Sequence, residues 1–310
     1  MTLAPEKAAN FAPAPRPAAL TRRALLRRGL GAAGVAGLLG GASGGYALAE
    51  AAFELKVTSY APRPQNWPAG RRLSIAVIAD LHAAGPNMGL SRVEQVVETC
   101  NGLNCDLIVL LGDFFANHRF VTEHLSPAQL GDRLARLRAP LGVWSILGNH
   151  DWWHDIKGVR SALARARIPV MENRSVHLGA GTQRFWLAGL GDQIAFQIGY
   201  NRYRGIDDLP GTLAQATTDD PVILLVHEPD IFTRIPNRVA LTLAGHTHGG
   251  QIRIPFLWEK FVPSAYGARF AYGHVVEGGR HLIISGGLGT SHIPLRLGVP
   301  PEIVRVDLGA

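Results

Sequence analysis

Five polar clusters, each placed directly after a run of apolar residues, constrain the fold of this 310-residue chain more than any other feature. The apolar runs are short and alternate with amphipathic stretches, a pattern typical of an α/β fold. Open α/β sheets place their ligand sites at the carboxyl ends of the strands, which is where these clusters lie. The clusters are Asp80-Leu81-His82, Gly112-Asp113, Gly148-Asn149-His150-Asp151, His227 and Gly245-His246-Thr247-His248.

The apolar runs predict β-strands, and the amphipathic stretches between them predict helices. Ser91 and Glu94 are predicted to form a capping box, and Ser126 is predicted to cap the next helix. No internal repeat or long linker divides the chain after residue 49, so residues 50–310 are predicted to form one domain. The predicted strands are Leu73 to Ala79, Leu107 to Leu111, Val143 to Leu147, Phe185 to Gly189, Val222 to Val226, Leu241 to Ala244, Leu282 to Ser285 and Ile303 to Val306. The predicted helices are Ser91 to Leu103, Ser126 to Arg136 and Asp155 to Ala166.

Two of the clusters contain pairs of ligand-type side chains two residues apart. In extended backbone, residues i and i+2 point to the same side, so Asp80 with His82 can face one point. His246 and His248 repeat this spacing. Carboxylate oxygens together with imidazole nitrogens suit divalent Mn, Fe or Zn rather than Ca, which prefers oxygen ligands alone. Each pair therefore predicts part of a metal site.

Three further side chains, Asp113, Asn149 and His227, raise the set to seven ligands, more than one ion uses. Two ions about 3.5–4 Å apart, with a shared carboxylate and a bridging water, account for this surplus. Such a centre lowers the pKa of its bound water from about 15.7 toward 7 and neutralises the oxygens of a phosphoryl group. The pattern predicts a binuclear centre that hydrolyses phosphate esters.

In identity and in order, the five clusters resemble the motifs of the calcineurin-like metallophosphoesterases, over about residues 72 to 307. The resemblance implies a four-layer α/β/β/α sandwich and attack by a bridging hydroxide on a phosphoester or pyrophosphate bond. It also implies the ligand roles. One metal is held by Asp80, His82 and His248, the other by Asn149, His227 and His246, and Asp113 bridges the two.

The same resemblance implies two catalytic residues. His150 is expected beside the scissile phosphate, where it protonates the leaving oxygen or steadies the transition state. Asp151 is expected to orient the His150 ring. One departure from the family pattern is Ala116, because relatives often carry a second Asp at that position.

The longer string from Gly245 to Gln251, with Gly287 to Thr290 and Pro300 to Ile303, resembles one bacterial branch of the family. That branch includes exported or membrane-associated phosphodiesterases and UDP-2,3-diacylglucosamine pyrophosphatases of lipid A synthesis. It therefore implies a lipid-linked phosphate substrate. The alternative is an exported enzyme that acts on phosphate esters of the cell envelope or on scavenged ones. A non-catalytic interaction module on the same fold is a third interpretation, which the complete ligand set argues against.

Residues 1–49 resemble a twin-arginine export signal. Thr21 to Arg27 carries the paired arginines, and the uncharged residues Gly29 to Ala49 end in Ala-Leu-Ala, which suits a peptidase site. Cleavage after Ala49 predicts export by the twin-arginine translocase to the periplasm or cell envelope. Retention predicts an anchor in the cytoplasmic membrane, since about 20 uncharged residues span a bilayer.

The net charge of +7 comes mostly from this leader. Residues 1–49 hold Lys7 and five arginines against Glu6, a net charge of +5, which leaves about +2 for the other residues. The domain is therefore nearly neutral, and no specific nucleic-acid partner is expected.

Several other residues have both a structural and a functional interpretation. Cys100 and Cys105 are predicted to be thiols rather than a disulfide. Trp152 and Trp153 are either an apolar wall or core residues, and Arg253 is either a phosphate clamp or an exposed arginine. The remaining histidines are predicted to be surface or loop residues, namely His118, His124, His154, His177, His274, His281 and His292.

Overall fold

Short β-strands and short helices contribute about equally to the regular structure of this protein, a computed structural model in which residues 45, 47, 50–52 and 54–309 are described. The leader predicted for residues 1–49 lies outside these residues, apart from Gly45 and Ala47. Gly45–Ala310 forms one compact unit. In chain order the strands are β1 (Lys56–Tyr60), β2 (Leu73–Ile78), β3 (Ala84–Gly85), β4 (Leu107–Leu110), β5 (Glu123–His124), β6 (Val143–Ser145), β7 (Arg174–Leu178), β8 (Phe185–Gly189), β9 (Phe196–Gly199), β10 (Arg202–Arg204), β11 (Val222–Leu225), β12 (Val239–Ala244), β13 (Gly273–Glu277), β14 (Arg280–Ile284) and β15 (Glu302–Leu308).

Two large sheets contain most of these strands. The five-stranded sheet has the order β1-β15-β2-β4-β6, in which β2, β4 and β6 are parallel and β15 is antiparallel to β2. The six-stranded sheet has the order β13-β14-β12-β11-β8-β7, with four parallel central strands and an antiparallel strand at each edge. All eight predicted strands are present within these two sheets.

The helices lie between the strands along the chain. They are α1 (Leu90–Gly102), α2 (Pro127–Leu134), α3 (Asn149–Trp153), α4 (Ile156–Arg165) and α5 (Leu209–Ala214). Short 3₁₀ helices cover Gly181–Gln183, Pro229–Arg234, His248–Gly250, Trp258–Phe261 and Gly267–Phe270.

Helix capping agrees with the prediction at one of two positions. Ser126 caps α2, because its hydroxyl accepts from the Gln129 backbone N–H at 3.2 Å while Gln129 accepts from Ser126 N–H at 2.8 Å. The capping box predicted at Ser91 is wrong. The helix α1 begins one residue earlier, with Gly89 at the cap position and no side-chain cap bond, so Ser91 lies inside the first turn.

Successive side chains of a strand point to opposite faces of its sheet, so each sheet packs against a different layer on each face. In β2, Ile75 and Val77 pack with residues of the six-stranded sheet, whereas Ala76 and Ile78 pack with the helices α1, α2 and α4. In β11, Leu224 belongs to an outer cluster that includes Leu209 of α5 and both Ile231 and Phe232 of Pro229–Arg234. The order of layers is therefore helix, sheet, sheet and helix, which confirms the predicted α/β/β/α sandwich.

Three edge strands, β1, β7 and β13, escaped the sequence prediction. Each is partly exposed and carries polar residues, for example Arg174, Ser175 and His177 in β7, so it lacks the continuous apolar run of a buried strand. Among the described residues, no helix is long and apolar enough to cross a membrane.

Candidate metal centre

The seven predicted ligands follow five strand ends, three from one sheet and two from the other. Asp80, Asp113 and Asn149 come after β2, β4 and β6, and His227 and His246 come after β11 and β12. The two sheets therefore both deliver side chains to one site, as predicted for the carboxyl ends of parallel strands.

The backbone at these ligands differs from the extended form assumed in the sequence analysis. Five ligands have positive φ, namely Asp80 (50°), His82 (41°), Asp113 (56°), His246 (69°) and His248 (50°). Non-glycine residues rarely adopt this left-handed conformation, and when they do they cluster at functional sites. Sharp turns, rather than a straight i, i+2 alternation, aim these side chains into the site.

The first ligand group consists of Asp80, His82, Asp113 and His248, all buried. Nε2 of His82 lies 3.1 Å from Nε2 of His248 and 3.4 Å from Oδ2 of Asp113. Nε2 of His248 lies 3.8 Å from Oδ1 of Asp80. Their ligand atoms thus face a common point, as a metal site requires.

The second ligand group consists of Asn149, His227 and His246. Oδ1 of Asn149 lies 3.1 Å from Nε2 of His227 and 2.9 Å from Nδ1 of His246. Nδ1 of His227 lies 2.6 Å from the Leu111 carbonyl, to which it donates, so Nε2 is left to face the site. This arrangement matches the predicted second set of ligands.

Asp113 lies between the two groups. Its Oδ2 atom is 3.4 Å from Nε2 of His82 in one group and 3.3 Å from Nε2 of His227 in the other. This oxygen is buried and has no hydrogen-bond partner among the described residues. A buried carboxylate oxygen without a donor is unfavourable unless a cation reaches it. The described residues therefore fit two divalent ions that share Asp113.

The electrostatic environment favours the cation-binding protonation state at some ligands and opposes it at others, since burial raises the pKa of the Asp80 carboxyl. Burial raises the pKa of Asp113 in isolation, but the neighbouring His227 and His150 hold that pKa well below its usual range. Burial lowers the pKa of His246, and lowers that of His248 well below its usual range. For His227 burial acts in the same direction, but the Asp113 carboxylate raises its pKa well above the usual value. We therefore expect metal binding to release a proton from His227.

Asp151 does not contact the His150 ring, contrary to the role implied by the family resemblance. Its Oδ2 accepts from the backbone N–H groups of Asp113 and Gly148, each at 2.9 Å, and its Oδ1 accepts from Phe114 N–H at 2.8 Å. Asp151 thus fixes the loops that carry Asp113 and Asn149. It is a positioning residue for the ligands.

The residue that holds the His150 ring is His154, one helical turn further on. Nε2 of His154 lies 3.2 Å from Nδ1 of His150, and the side-chain amide nitrogen of Asn117 lies 2.9 Å from Nδ1 of His154. His154 is exposed at the turn that ends α3, as predicted for a surface or loop residue, but its contact with the His150 ring was not predicted.

The contacts among Asn117, His154 and His150 determine which ring nitrogen of each histidine carries the proton. The Asn117 amide nitrogen only donates, so Nδ1 of His154 accepts and Nε2 of His154 carries the proton. Nε2 of His154 then donates to Nδ1 of His150, which leaves the His150 proton on Nε2. Burial lowers the pKa of His150 to about 3, so this neutral form persists at neutral pH. His150 therefore presents an N–H donor toward the site.

Two buried acids beside the second ligand group were not singled out in the sequence analysis. Glu228 follows His227 and accepts from the Gln193 backbone N–H at 3.1 Å, and Asp192 follows β8. Burial and the charge of Glu228 raise the pKa of Asp192 to about 10, so Asp192 is protonated at neutral pH. The position of Asp192 just after a strand was the available signal.

Arg253 and Trp152 pack against other side chains, whereas Trp153 lines the cavity. The Arg253 guanidinium stacks on Trp258 at 4.8 Å and on Tyr272 at 4.9 Å, and its Nε donates to the Gly249 carbonyl. Arg253 is thus partly buried and held between two aromatic rings. Trp153 lines the cavity beside the ligands, whereas Trp152 packs against the helical core. Cys100 and Cys105 are buried free cysteines, as predicted.

Gly148 is required by the close approach of Asp113 and His227. A Cβ atom at this position would clash with Asp113 Oδ1 and with the His227 ring. We expect Gly148→Ala to weaken Mn²⁺ binding and to lower the free energy of unfolding by about 1–3 kcal/mol, the usual cost of overpacking.

Chemical denaturation with and without Mn²⁺ measures both effects. Gly102→Ala is the matched control, because a Cβ atom there meets nothing within 4 Å. Equal behaviour of the two variants would contradict this account of Gly148.

Comparison with known proteins agrees with this geometry. A family model described as calcineurin-like phosphoesterase matches residues 73–250. The chain is 31% identical over 296 residues to the uncharacterized metallophosphoesterase YkuE of Bacillus subtilis, a match that covers 93% of this chain and 98% of that protein. It is 29% identical over 273 residues to an uncharacterized metallophosphoesterase of Aquifex aeolicus, covering 86% of this chain and 95% of that protein.

Among solved structures, the chain is similar to a 5'-nucleotidase precursor from Thermus thermophilus, with a TM-score of 0.45 and 14% sequence identity. The match covers 76% of this chain and 54% of that structure, so the chain spans about half of its length. The family model covers more than half of the chain, and the Bacillus relative is matched along nearly its whole length. The chain therefore belongs to the calcineurin-like phosphoesterase family and is a metal-dependent phosphoesterase.

Proposed function

We propose that this phosphoesterase cleaves a phosphodiester or pyrophosphate bond in a lipid-linked substrate of the kind represented by UDP-2,3-diacylglucosamine. The observation that supports this is a cavity of about 760 Å³ that adjoins the metal ligands. At one side it is lined by Asp113, Asn149, His150, His246 and His248. The rest of its wall is mostly apolar and includes Trp153, Ile194, Tyr203, Ile254 and Phe261.

A cavity with one polar side and a large apolar wall suits a substrate with a phosphate and an apolar arm. When bound, two divalent ions lower the pKa of water and neutralise charge on phosphoryl oxygens. The ligands described above would hold those ions, and Asp151 keeps the ligand loops in place. Nε2–H of His150 faces the cavity, 3.5 Å from Oγ of Ser291, where it would donate a hydrogen bond to the leaving oxygen and so stabilise the charge that develops there.

His154 is expected to matter for cleavage through His150. We expect His154→Ala to lower kcat by about 10-fold to 100-fold for an alkyl leaving group, because the His150 ring loses the donor that sets its tautomer. A p-nitrophenyl leaving group needs little protonation, so its kcat should fall much less. KM and bound metal should stay unchanged.

His154→Gln is the matched variant, since its amide N–H can replace the donor to Nδ1 of His150. Partial recovery of kcat in this variant is expected in steady-state assays. An equal loss with both leaving groups, or no recovery by Gln, would show that His154 acts only on local structure.

The leader is part of the proposal. We propose that residues 1–49 engage the twin-arginine translocase or anchor the domain in the cytoplasmic membrane, and the contacts of Ala47 favour the anchor. The Ala47 carbonyl accepts from the Arg296 backbone N–H at 3.1 Å, and both Ala47 and Glu50 are buried. Cleavage after Ala49 would remove a residue that the domain packs against. Mass measurement of the protein from membranes tests this directly.

The substrate is tested by release of UMP from UDP-2,3-diacylglucosamine by the Mn²⁺-loaded full chain, compared with UDP-N-acetylglucosamine, which lacks acyl chains. The proposal predicts turnover of the acylated compound, loss of turnover in Asp113→Asn, and much lower kcat/KM without the acyl chains. Equal rates on both compounds would reject the lipid-linked substrate. They would favour the alternative of an exported phosphodiesterase that acts on envelope or scavenged phosphate esters.

A further inference from the structure

Two protruding segments flank the cavity that adjoins the metal ligands. One is the β9–β10 hairpin, whose Tyr203 lines the cavity, and the other is the loop from Ile252 to Pro263, whose Ile254 and Phe261 line it. We call these two segments the rim. Because both contribute to the same cavity wall, they lie on the same side of the domain as the opening to the site.

The rim exposes large apolar side chains. In the loop, Phe256 is 98% exposed and Phe261 is 69% exposed. In the hairpin, Tyr200 is 91% exposed and Ile198 is 52% exposed. Apolar side chains scattered singly over a surface are ordinary, but a group concentrated around one opening marks an interaction site.

Both segments are held firmly at their bases, so the exposed tips are preformed. In the hairpin, Tyr203 stacks on Trp153 at 5.4 Å. In the loop, Trp258 stacks with Arg253 at 4.8 Å. Phe256 at the loop tip has a φ of 67°, an unusual conformation for a bulky residue and one that tends to persist at functional positions.

The charges of the β9–β10 hairpin indicate which kind of surface the rim binds. Residues 196–204 contain Arg202 and Arg204 and no acidic residue, and both arginines are exposed. The Arg204 guanidinium lies over the Phe196 ring at 5.2 Å. Aromatic side chains interleaved with arginines are suited to the interface of an anionic bilayer, where rings enter the headgroup layer and guanidinium groups pair with lipid phosphates.

We infer that the rim docks onto the surface of an anionic lipid bilayer, so that the opening of the metal cavity faces the headgroups. Exposed apolar side chains on two separate segments enter a soft headgroup layer more readily than they match a rigid protein face. This interaction does not depend on the substrate proposed above, because it is a property of the rim and not of turnover.

Position-specific probes are needed to test it, because the basic and apolar leader would by itself bring the full chain to vesicles. Cys100 and Cys105 are buried, so a thiol-reactive nitrobenzoxadiazole dye labels an introduced surface cysteine selectively. The probe positions are Phe256→Cys and Tyr200→Cys in the full chain. Val276→Cys is the control, since Val276 is 53% exposed on β13 and does not line the cavity.

With vesicles of phosphatidylcholine and phosphatidylglycerol, we expect the fluorescence emission of the dye at the two rim positions to shift to shorter wavelength and to gain severalfold in intensity. The emission of the dye at the control position is expected to stay unchanged. Replacing Arg202 and Arg204 by Gln should weaken the response by about fivefold per residue, and phosphatidylcholine alone should give little response.

Three outcomes would overturn the inference. In the first, the emission of the rim probes does not shift when vesicles are added. In the second, the emission of the Val276→Cys control shifts equally. In the third, the emission of the rim probes shifts without vesicles as the protein concentration rises. The last result would identify a second copy of the chain as the partner.

Discussion

Asp113→Asn is expected to lower kcat/KM by about 10³-fold or more. The reason is that one Asp113 oxygen lies within 3.4 Å of a ligand nitrogen from each of the two groups. The amide nitrogen or neutral oxygen of Asn cannot replace the charge that two cations share. We therefore also expect bound metal to fall from two ions per chain to one or fewer.

Metal analysis of the purified protein, together with hydrolysis of bis(p-nitrophenyl) phosphate, measures both effects. Asp132→Asn is the matched control, because Asp132 is an exposed residue of α2 that pairs with Arg165. Full metal content and activity in Asp113→Asn would contradict the assignment of Asp113 as the shared ligand.

His150→Ala is expected to lower kcat by about 10²-fold to 10⁴-fold while leaving bound metal at two ions per chain. The ring carries its proton on Nε2 and faces the cavity, so its loss removes a donor to the leaving oxygen and not a metal ligand. Because the pKa of His150 is lowered to about 3, the ring stays neutral from acidic to alkaline pH. The rate should therefore show no inflection near pH 6.5 that belongs to this ring.

Comparing leaving groups of different basicity in the variant separates the two roles open to His150. A larger loss for basic leaving groups supports proton donation, whereas a uniform loss supports stabilisation of charge in the transition state. His124→Ala, an exposed histidine on β5, should behave like the wild type. Loss of metal from His150→Ala would show instead that His150 is a ligand.

The positions of the strand ends explain why the sequence analysis could predict which side chains come together at the site. Asp80, Asp113 and His227 each follow a continuous buried strand, and parallel strands bring their carboxyl ends together whatever loops connect them. The left-handed backbone at Asp80 and His246 was not predictable in this way, because it results from packing between loops that are distant in the chain. Gly289, for example, donates its backbone N–H to the Asp80 carbonyl at 2.7 Å.

The surroundings of His150 were not predictable from the motif. The resemblance implied Asp151 as the partner of the ring, but that carboxylate accepts from three backbone N–H groups instead. His154 takes the place beside the ring because it lies one turn further along α3 and is held by Asn117. The i, i+4 spacing of the two histidines allows this contact, but the bond from Asn117 depends on how the helix is set against a neighbouring loop.

The rim was also not predictable from the sequence. Phe196 to Arg204 mixes apolar, polar and basic residues without the alternation of a half-buried strand, because the whole hairpin is exposed. Its place beside the site depends on contacts such as the stacking of Trp153 on Tyr203. Under the proposed function, substrate choice depends on this wall, so it is much harder to predict from the sequence than the chemistry of the centre.

The central claim is that two ions share Asp113 between the two ligand groups. Anomalous diffraction at the manganese edge, from crystals of the Mn²⁺-loaded full chain, tests it most directly. Two peaks about 3.5–4 Å apart are expected. One should lie among Asp80, His82 and His248, the other among Asn149, His227 and His246, with an Asp113 oxygen between them. A single peak, or a pair of peaks that Asp113 does not join, would contradict it.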